Sequence, residues 1–388
     1  MRVPFQYIIR NLLVRKVTTG LTAGGMALVV FVFASILMLD EGLKKTLVNT
    51  GEINNIILTR KGSDTEVQST IYRDQASIIE TKPIVANSVD ATPLLSKELV
   101  VLISLQKSNA KQQSNVVVRG TSTKGFELRP DVQISEGNFF RSGSSDIVIG
   151  SAIAKEYSNT NLGDQIYFAQ RLWTIVGVFD AKKTAFDSEI WVSREQLMQA
   201  FRRKNFSIIV FRSTEKQSIN TIQKEFDSDP RLSLDVKLEQ DFYKDQSKAL
   251  SKFINILGMT LTIIFSVGAT IGSMITMNAA VANRTNEIGT LRALGFKKIE
   301  ILTAFLIESI VLALIGGLIG VFGATFMEFS DFTTTNFQTF ADLSFGFVMT
   351  PIIALKALII ATLMGVIGGT FPAFHAANLE IVDALRSK

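Results

Sequence analysis

The sequence predicts an α-helical membrane protein with four transmembrane helices and an α+β extracytoplasmic domain inserted between helices 1 and 2. Three observations lead to this prediction. Of the 388 residues, 47% are hydrophobic and 19% are charged, below the roughly 25% charged residues of a typical soluble domain. The apolar residues are concentrated in one block near the N-terminus and three blocks in the last third of the chain. The residues between the first and second blocks have the mixed composition of a soluble domain.

Composition also excludes several kinds of site. The chain has no cysteine, which excludes disulfides, thiolate catalysis and cysteine-based metal sites. Its single histidine, His375, excludes a histidine-rich metal site. The net charge of +5 would suit nucleic acid or an anionic membrane surface, and the positions of the basic residues favour the membrane. We therefore expect membrane lipid as a partner, no nucleic acid, no metal ion and no catalytic residue.

Four apolar segments are long enough to cross a bilayer, which takes about 20 residues. They are residues 17–39, 253–282, 301–327 and 351–374. The first is uncharged until Asp40 and exceeds the ~7–15 apolar residues of a signal peptide, so we interpret it as a retained span.

The spans divide the rest of the chain into five predicted parts. These are a cytoplasmic interfacial helix at 1–16, an extracytoplasmic domain at 40–252, a cytoplasmic segment at 283–300, an outer loop at 328–350 and a cytoplasmic tail at 375–388. Residues 5–13 have one apolar face, which is typical of a helix lying on the inner leaflet. The alternative is that they form the cytoplasmic end of the first span.

Basic residues near the span ends predict the orientation, because they accumulate on the cytoplasmic side. Residues 1–16 and 283–300 are rich in them, with Arg2, Arg10, Arg15 and Lys16 in the former and Arg284, Arg292, Lys297 and Lys298 in the latter. The 328–350 loop carries Glu328, Asp331 and Asp342 and no base. Both termini are therefore predicted to be cytoplasmic.

Each span contains two glycines four residues apart, a spacing that lets helix backbones approach closely in lipid. The pairs are Gly20 and Gly24, Gly268 and Gly272, Gly316 and Gly320, and Gly365 and Gly369. We expect them to pack helices together, within a protomer or across a dimer.

The extracytoplasmic domain has a mixed strand and helix pattern. The predicted strands are 54–58, 99–105, 115–118, 146–149, 165–168, 173–178, 190–192, 208–211 and 233–237, and the predicted helices are 69–81, 194–203 and 215–227. No catalytic motif occurs in it, so we interpret it as a binding and assembly module. Residues 40–47 and 241–252 can extend the first and second spans outward as helical stalks.

The cytoplasmic segment between spans two and three predicts a short helix with an apolar stripe. Thr285 or Asn283 can cap its start, and Gly295 suits the left-handed residue that ends many helices. Ile288, Leu291 and Leu294 share one face, while Arg284, Glu287 and Arg292 are expected at the surface. Such a helix can dock into a groove on a soluble partner, but a plain topology-setting loop fits the same residues. The residues alone leave both interpretations open.

Several runs resemble the permease part of MacB- and FtsX-type ABC transporters. They are the motif Arg284-x-x-Glu287-Ile288-Gly289-x-Leu291-Arg292-Ala293-Leu294-Gly295, the run Phe305–Glu308, the pair Gly316-Gly317 and the stretch from Gly369 to Arg386. In the outer domain the similar runs are Val118–Gly120, Gly137–Phe140, Ile147–Gly150, Leu162-Gly163 and Val176–Val178. The stretch near the C-terminus departs from the family in one respect, since Ile381-Val382 stand where a proline is usual.

The resemblance implies a permease homodimer in a bacterial inner membrane, each copy bound to a separate ABC ATPase. The motif at Arg284–Gly295 would be the ATPase-coupling helix. The sequence contains no phosphate-binding Gly-x-x-x-x-Gly-Lys-Ser/Thr motif, so ATP and magnesium are expected in the partner chain. A periplasmic adaptor and an outer-membrane duct are further implied partners. The family works by mechanotransmission, in which ATP-driven closure of the ATPases moves the stalks and the outer domains.

Three functions share this architecture. We favour a MacB-like exporter of an amphiphilic cargo. The alternatives are an FtsX-like complex that controls a cell-wall hydrolase and a LolC/LolE-like complex that extracts lipoproteins or lipids. The sequence does not name the cargo.

Two spans contain a charge. Glu308 in the third span is costly unless it is paired or protonated. We favour a structural hydrogen bond to a neighbouring helix, with Thr18, Thr22 and Thr370 as candidate partners, over a relay or substrate contact. Lys356 in the fourth span is expected to reach the headgroups.

Overall fold

The computed structural model describes residues 16–88, 90–108, 113–214, 219–336 and 338–379. Apart from Lys16, the predicted interfacial helix lies outside the described residues, as does the tail from residue 380 onward. The chain forms two compact units. The first comprises Met1–Glu41, Phe253–Ser330 and Phe347–Lys388, and the second comprises Gly42–Lys252 and Asp331–Gly346.

The described residues form helices and strands in the following order. They are α1 (Lys16–Val48), β1 (Asn55–Arg60), α2 (Arg73–Glu80), β2 (Leu95–Gln106), β3 (Gln113–Thr121), α3 (Thr123–Leu128), β4 (Gln133–Gly137), β5 (Asp146–Gly150), α4 (Ser151–Glu156), β6 (Gln165–Phe168), β7 (Arg171–Asp180), a 3₁₀ turn (Ala185–Ser188), β8 (Glu189–Ser193), α5 (Arg194–Ala200), β9 (Ile208–Arg212), α6 (Ile219–Asp227), β10 (Leu234–Leu238), α7 (Glu239–Ala282), α8 (Thr285–Ala293), α9 (Lys298–Thr325), a second 3₁₀ turn (Phe326–Phe329), β11 (Asp331–Thr335), β12 (Asp342–Gly346) and α10 (Pro351–Asn378).

Within the described part of the chain, four helices are long and apolar enough to cross a membrane: α1, α7, α9 and α10. This confirms the fold class predicted from the sequence. Both α1 and α7 are longer than a span of about 20 residues requires. The first continues to Val48, and the second already begins at Glu239.

The glycines of α9 and α10 allow close packing within the first unit. A β-carbon added to Gly316 would lie 2.6 Å from the carbonyl oxygen of Ala23, and one added to Gly320 would lie 2.5 Å from that of Ala27, both on α1. On α10, added β-carbons at Gly365 and Gly369 would lie 2.6 Å and 2.4 Å from side-chain atoms of α9. No larger residue fits these positions without moving a helix.

The glycine pairs of α1 and α7 have different surroundings. Among the described residues, a β-carbon added to Gly20, Gly24, Gly268 or Gly272 would meet no atom within 4 Å. With respect to the described residues, these four therefore make no close helix contact, and the close contacts found there involve the other half of the predicted glycine set.

The second unit is built on a ten-stranded mixed sheet. Its order is β10-β1-β9-β2-β3-β8-β5-β7-β4, and β6 also pairs with β7. The β3–β8 and β5–β7 pairs are parallel, and the other pairs are antiparallel. Alternate residues of a strand point to opposite faces of a sheet. Ile147 and Ile149 accordingly enter one hydrophobic core, while Val148 between them enters the other.

The two faces of this sheet are covered differently. One face packs against α2, α4, α5 and α6 through side chains such as Ile79, Leu197 and Phe226. The opposite face packs against the start of α7 through Phe242 and Tyr243, and against Phe186 of the 3₁₀ turn. The N-terminal turns of α7 are therefore part of the domain core.

Residues 328–350 are predicted to form a loop, but part of them forms a β-hairpin. Strands β11 and β12 pair in antiparallel fashion, and the hairpin belongs to the second unit. Asp342 of β12 binds the Lys107 ammonium at 2.5 Å and accepts a hydrogen bond from the Tyr157 hydroxyl at 3.3 Å. The strand β4 and the short helices α3 and α4 were also not predicted.

Candidate functional site: the segment between the second and third long helices

Helix α8 lies between α7 and α9 and is held by apolar contacts. Ile288, only 2% exposed, packs in a cluster with Val281 of α7, Phe305 of α9 and Ala376 of α10. Leu291 is half-buried against the same cluster. The apolar stripe predicted from the sequence thus faces mostly inward and fixes α8 to three other helices.

The C-terminal end of α8 has a well-defined geometry. Gly295 has φ +97°, the left-handed conformation that the sequence predicts there. Its amide donates to the carbonyl of Arg292, and the Phe296 amide donates to that of Leu291. This pair of bonds is the Schellman pattern, which satisfies carbonyls that the helix leaves open. The start differs from the prediction, because Arg284 occupies the N-cap position without a side-chain cap. The hydroxyl of Thr285 instead donates to the carbonyl of Ala282 at 2.8 Å.

Arg284 and Glu308 form a buried ion pair that the sequence analysis did not anticipate. One guanidinium nitrogen of Arg284 donates to both carboxylate oxygens of Glu308, at 2.9 and 3.2 Å. The two side chains are 5% and 10% exposed, and the guanidinium lies 5.3 Å from the ring centre of Phe305. Arg284 is therefore buried, whereas the sequence predicted it to lie at the surface. The pair joins the start of α8 to the middle of α9.

The threonines proposed as partners for Glu308 bind elsewhere. The Thr22 hydroxyl donates to that of Thr276 at 2.8 Å, and the Thr370 hydroxyl donates to the carbonyl of Val366. The side chain of Thr18 lies outside the described part. The structural contact predicted for Glu308 is therefore made with an arginine and not with a threonine.

Two further contacts tie this segment to the C-terminal end of α10. The Arg292 guanidinium donates to the carbonyl of Ala377 at 2.8 Å, and the Lys298 ammonium donates to the side-chain carbonyl of Asn378 at 3.1 Å. Arg292 is consequently half-buried, and part of its hydrogen-bonding capacity is used inside the chain. These contacts attach the segment to α7, α9 and α10.

What remains exposed is a narrow strip of mixed chemistry, which we call the α8 strip. It consists of Asn286, Glu287, Thr290, Ala293 and Leu294. Leu294 is 69% exposed, and Ile299, just beyond, is 60% exposed. Exposed leucine and isoleucine side chains next to the Glu287 carboxylate, which lies 3.6 Å from the Arg284 guanidinium, are suited to a protein partner with a small apolar groove and a basic rim.

The sequence contained a partial signal for the Arg284–Glu308 pair. A lone acid inside a span needs a counter-charge, and Arg284 directly precedes α8. An arginine side chain can extend along apolar surface while its charged head finds a polar partner. Glu308 lies ten residues after Lys298, about 15 Å along the helix axis. The sequence therefore suggested only residues within the spans as its partners.

Comparison with known proteins gives matches over most of the chain. A family model described as the MacB-like periplasmic core domain matches residues 19–229. A second, described as the FtsX-like permease C-terminal domain, matches residues 259–381, which include α8 and the α8 strip.

Individual relatives are similar along nearly the whole sequence. The macrolide export ATP-binding/permease protein MacB of Burkholderia pseudomallei is 26% identical over 95% of this chain and 58% of its own length. That of Vibrio parahaemolyticus is 27% identical over 81% of this chain and 48% of its own length. The chain thus spans about half the length of these curated relatives. The crystal structure of the periplasmic region of MacB from Actinobacillus actinomycetemcomitans aligns with a TM-score of 0.38 and 9% identity, over 51% of this chain and 94% of that one.

Proposed function

Because the chain belongs to the family of MacB- and FtsX-like ABC permeases, we propose that it is the transmembrane subunit of a MacB-like exporter. A separate ATPase subunit, which binds ATP and magnesium, drives it from the cytoplasm. The chain itself is the permease part and transmits the motion to its extracytoplasmic domain.

The observation that carries this proposal is the combination of attachment and exposure at α8. The helix is fixed to α7, α9 and α10 by Ile288, by the Arg284–Glu308 pair and by Arg292. At the same time the α8 strip presents Glu287 and Leu294 outward. A partner that grips the strip would therefore displace the long helices and not merely a loop.

The long helices provide the route to the sheet domain. Strand β10 ends at Leu238, and α7 begins at Glu239 and continues without interruption to Ala282. In our proposal, movement at the C-terminal end of α7 is carried along this helix to its N-terminal end. This supports mechanotransmission, in which the cargo is moved outside the membrane and does not pass between the spans.

Two copies of the chain form the proposed assembly. The open positions around Gly20, Gly24, Gly268 and Gly272 leave glycine faces on α1 and α7, and small residues of this kind favour close helix association in lipid. The protein would lie in a bacterial inner membrane with both termini in the cytoplasm. An adaptor and an outer-membrane duct would complete the path of an amphiphilic cargo.

The test is recruitment and stimulation of the ATPase that co-purifies with the wild-type protein. We expect Glu287→Lys and Leu294→Asp to abolish both while the permease remains inserted and folded, because the two side chains project outward. Arg292→Glu should do the same with some loss of stability, since it also breaks the bond to Ala377. The exposed Lys356→Gln, on α10, serves as the control. Unchanged recruitment and stimulation in Glu287→Lys and Leu294→Asp would contradict the proposal.

A pull-down through the extracytoplasmic domain separates export from its alternatives. Recovery of an adaptor and a duct protein supports the exporter. Recovery of a cell-wall hydrolase, or of lipoproteins alone, would replace it with a signalling or an extraction role.

A further inference from the structure

Glu239 occupies an unusual place in the second unit. It is the first residue of α7, follows β10 directly and is fully buried, with 0% of its surface exposed. A buried carboxylate is expensive unless every oxygen is paired. The partners of Glu239 therefore indicate which parts of the structure it connects.

One carboxylate oxygen of Glu239 holds the turn that follows α1. This oxygen accepts the backbone N–H of Glu52 at 3.0 Å and the side-chain amide of Asn55 at 2.8 Å. Gly51, with φ +81°, lies against the same side chain, and a β-carbon there would be 2.5 Å from Cγ of Glu239. The turn between α1 and β1 is thus closed directly onto the first residue of α7.

The other oxygen connects Glu239 to the sheet. It accepts the Nε–H of Arg129 at 2.8 Å, and the same guanidinium donates to Glu98 of β2 at 2.7 and 3.2 Å. Glu98 in turn accepts a bond of 2.8 Å from Arg119 of β3. A chain of buried ion pairs therefore runs from the end of α7 into the central strands.

Arg119 extends this buried ion cluster. Its guanidinium binds Glu189 of β8 through two bonds of 2.7 Å and Glu66 through bonds of 2.8 and 3.1 Å. Tyr243, one turn into α7, donates its hydroxyl to Glu66 at 3.0 Å. The first two turns of α7 thus contact the cluster at both Glu239 and Tyr243.

Directional bonds of this kind resist sliding in a way that apolar contacts do not. An apolar helix face can shift by a fraction of a turn and find new contacts of similar energy. A buried charge that moves out of hydrogen-bonding range loses its compensation outright. The cluster therefore favours rigid motion of α7 with the sheet over rotation of one against the other.

We propose that Glu239 is a positioning residue that makes the outer ends of α1 and α7 one rigid joint with the sheet. The inference rests on the proposed function, in which these two helices transmit motion. It adds the residue through which the motion is passed on, and it separates a force-bearing role from a merely stabilising one.

The first test needs no partner and uses the full-length protein in nanodiscs. In Glu239→Ala, amide hydrogen exchange at Glu52 should rise by about tenfold or more, since a hydrogen bond to a charged group is lost. Glu239→Gln, which keeps the shape and one acceptor oxygen, should give a smaller rise and covers the case in which the alanine variant does not fold. Asp241→Asn, an exposed acid on the same turn, is the matched control. Unchanged exchange at Glu52 in both Glu239 variants would overturn the joint.

The second test follows motion of the sheet domain as a whole. A spin label at Tyr167→Cys on β6 is placed in a chain that has no native cysteine, so that each copy in the proposed dimer carries one label. With the co-purified ATPase, the distance between the two labels should change on trapping with ATP and vanadate, because the rigid joint moves each sheet together with its long helices. The change should be lost in Glu239→Gln.

A variant that only lowers the stability of the domain serves as the control. Ile79→Ala removes core packing from the opposite face of the same sheet and lowers stability without touching the cluster, so its nucleotide response should be intact. An equal response in wild type and Glu239→Gln would overturn the inference. A wild type without any response would instead count against the proposed function, and the exchange test would still decide whether Glu239 forms the joint.

Discussion

Ile288 and Leu294 lie six residues apart in one short segment, yet their surroundings are opposite. Ile288 is 2% exposed and Leu294 is 69% exposed. Ile288→Ala should lower the free energy of unfolding by about 2–4 kcal/mol, because it leaves a cavity among packed helices. Leu294→Ala should change it by less than about 0.5 kcal/mol but weaken ATPase binding. Thermal unfolding in detergent and a binding assay on both variants check this contrast, and equal stability losses would contradict it.

The Arg284–Glu308 pair gives a second prediction for single residues. Glu308→Ala removes the buried partner of Arg284 and leaves it only the exposed carboxylate of Glu287, 3.6 Å away; breaking a buried pair typically costs about 3–5 kcal/mol. Replacing both residues, with Arg284→Met and Glu308→Leu, should recover most of that loss, since a buried ion pair adds little net stability over apolar side chains. The measurement is again thermal unfolding. A Glu308→Ala protein as stable as the Lys356→Gln control would show that the pair is not formed.

The buried ion cluster predicts a loss of stability in acid. Burial would raise the pKa of Glu98, but the neighbouring charges of Arg129 and Arg119 outweigh burial and lower it to about 2, from an ordinary value of 4.5. The folded domain therefore binds fewer protons than the unfolded chain. Its stability contribution, about 3 kcal/mol, is present above pH 4.5 and is lost as the pH falls toward 2. Glu189, whose pKa burial raises, contributes in the opposite direction.

Tryptophan fluorescence can follow this acid transition selectively. The chain has two tryptophans, Trp173 and Trp191, and both are buried in the sheet domain. Unfolding by denaturant at several pH values should show a slope between pH 4.5 and 2 that Glu98→Gln flattens. Glu136→Gln, at an exposed position of β4, should keep the slope, and a slope unchanged by Glu98→Gln would contradict the assignment.

For single residues, the sequence predicted the conformation correctly where that conformation depends on the neighbouring residues in the chain. Gly295 follows the last turn of a helix, and its left-handed conformation was predictable for that reason. Arg284, Glu98 and Glu239 were not predictable in the same way. Their partners are 24, 31 and 110 residues distant, and a charge in a strand or turn is ordinarily solvated. Only the position of Arg119 directly after Val116–Val118 hinted at burial.

At the level of helices, the glycine pairs separate into two groups with different expected effects. Gly320→Ala places a methyl group 2.5 Å from a backbone oxygen of α1, so we expect a loss of about 1–3 kcal/mol from overpacking. Gly24→Ala meets open space and should leave the monomer's stability unchanged. Unfolding of both variants in detergent checks this, and equal losses would contradict the packing.

The same open glycines give a prediction for assembly. If α1 and α7 form the dimer contact, Gly24→Leu and Gly268→Leu should shift the protein from dimer to monomer. Cross-linking in the membrane measures the fraction of dimer directly. Leucine substitutions at Gly20 and Gly272 test the same contact. A dimer that persists in all of these variants would place the contact elsewhere.

Helices and strands with a strong local sequence signal were predicted well, and those without one were not. All four long helices and most strands of the sheet were found, because about 20 apolar residues in a row or a β-branched run carry a local signal. The β11–β12 hairpin was read as a loop. Its strands contain Thr333–Thr335 and few apolar residues, and its contacts with Lys107 and Tyr157 are fixed by tertiary structure.

At the level of the whole molecule, the proposed mechanism connects ATPase binding on the cytoplasmic side to a movement on the extracytoplasmic side. In this proposal the α8 strip binds the ATPase, the long helices transmit the displacement, and the joint at Glu239 passes it to the sheet. Each step presupposes that the strip and the sheet domain lie on opposite sides of the membrane.

Cysteine labelling tests that premise most directly, since the chain has no native cysteine. Thr290→Cys in the α8 strip and Tyr167→Cys in the sheet domain are both exposed, at positions that the proposed joint does not use. In intact spheroplasts, a membrane-impermeant maleimide should label Tyr167→Cys fully and Thr290→Cys only after permeabilisation. Labelling of both positions from the same side would contradict the account.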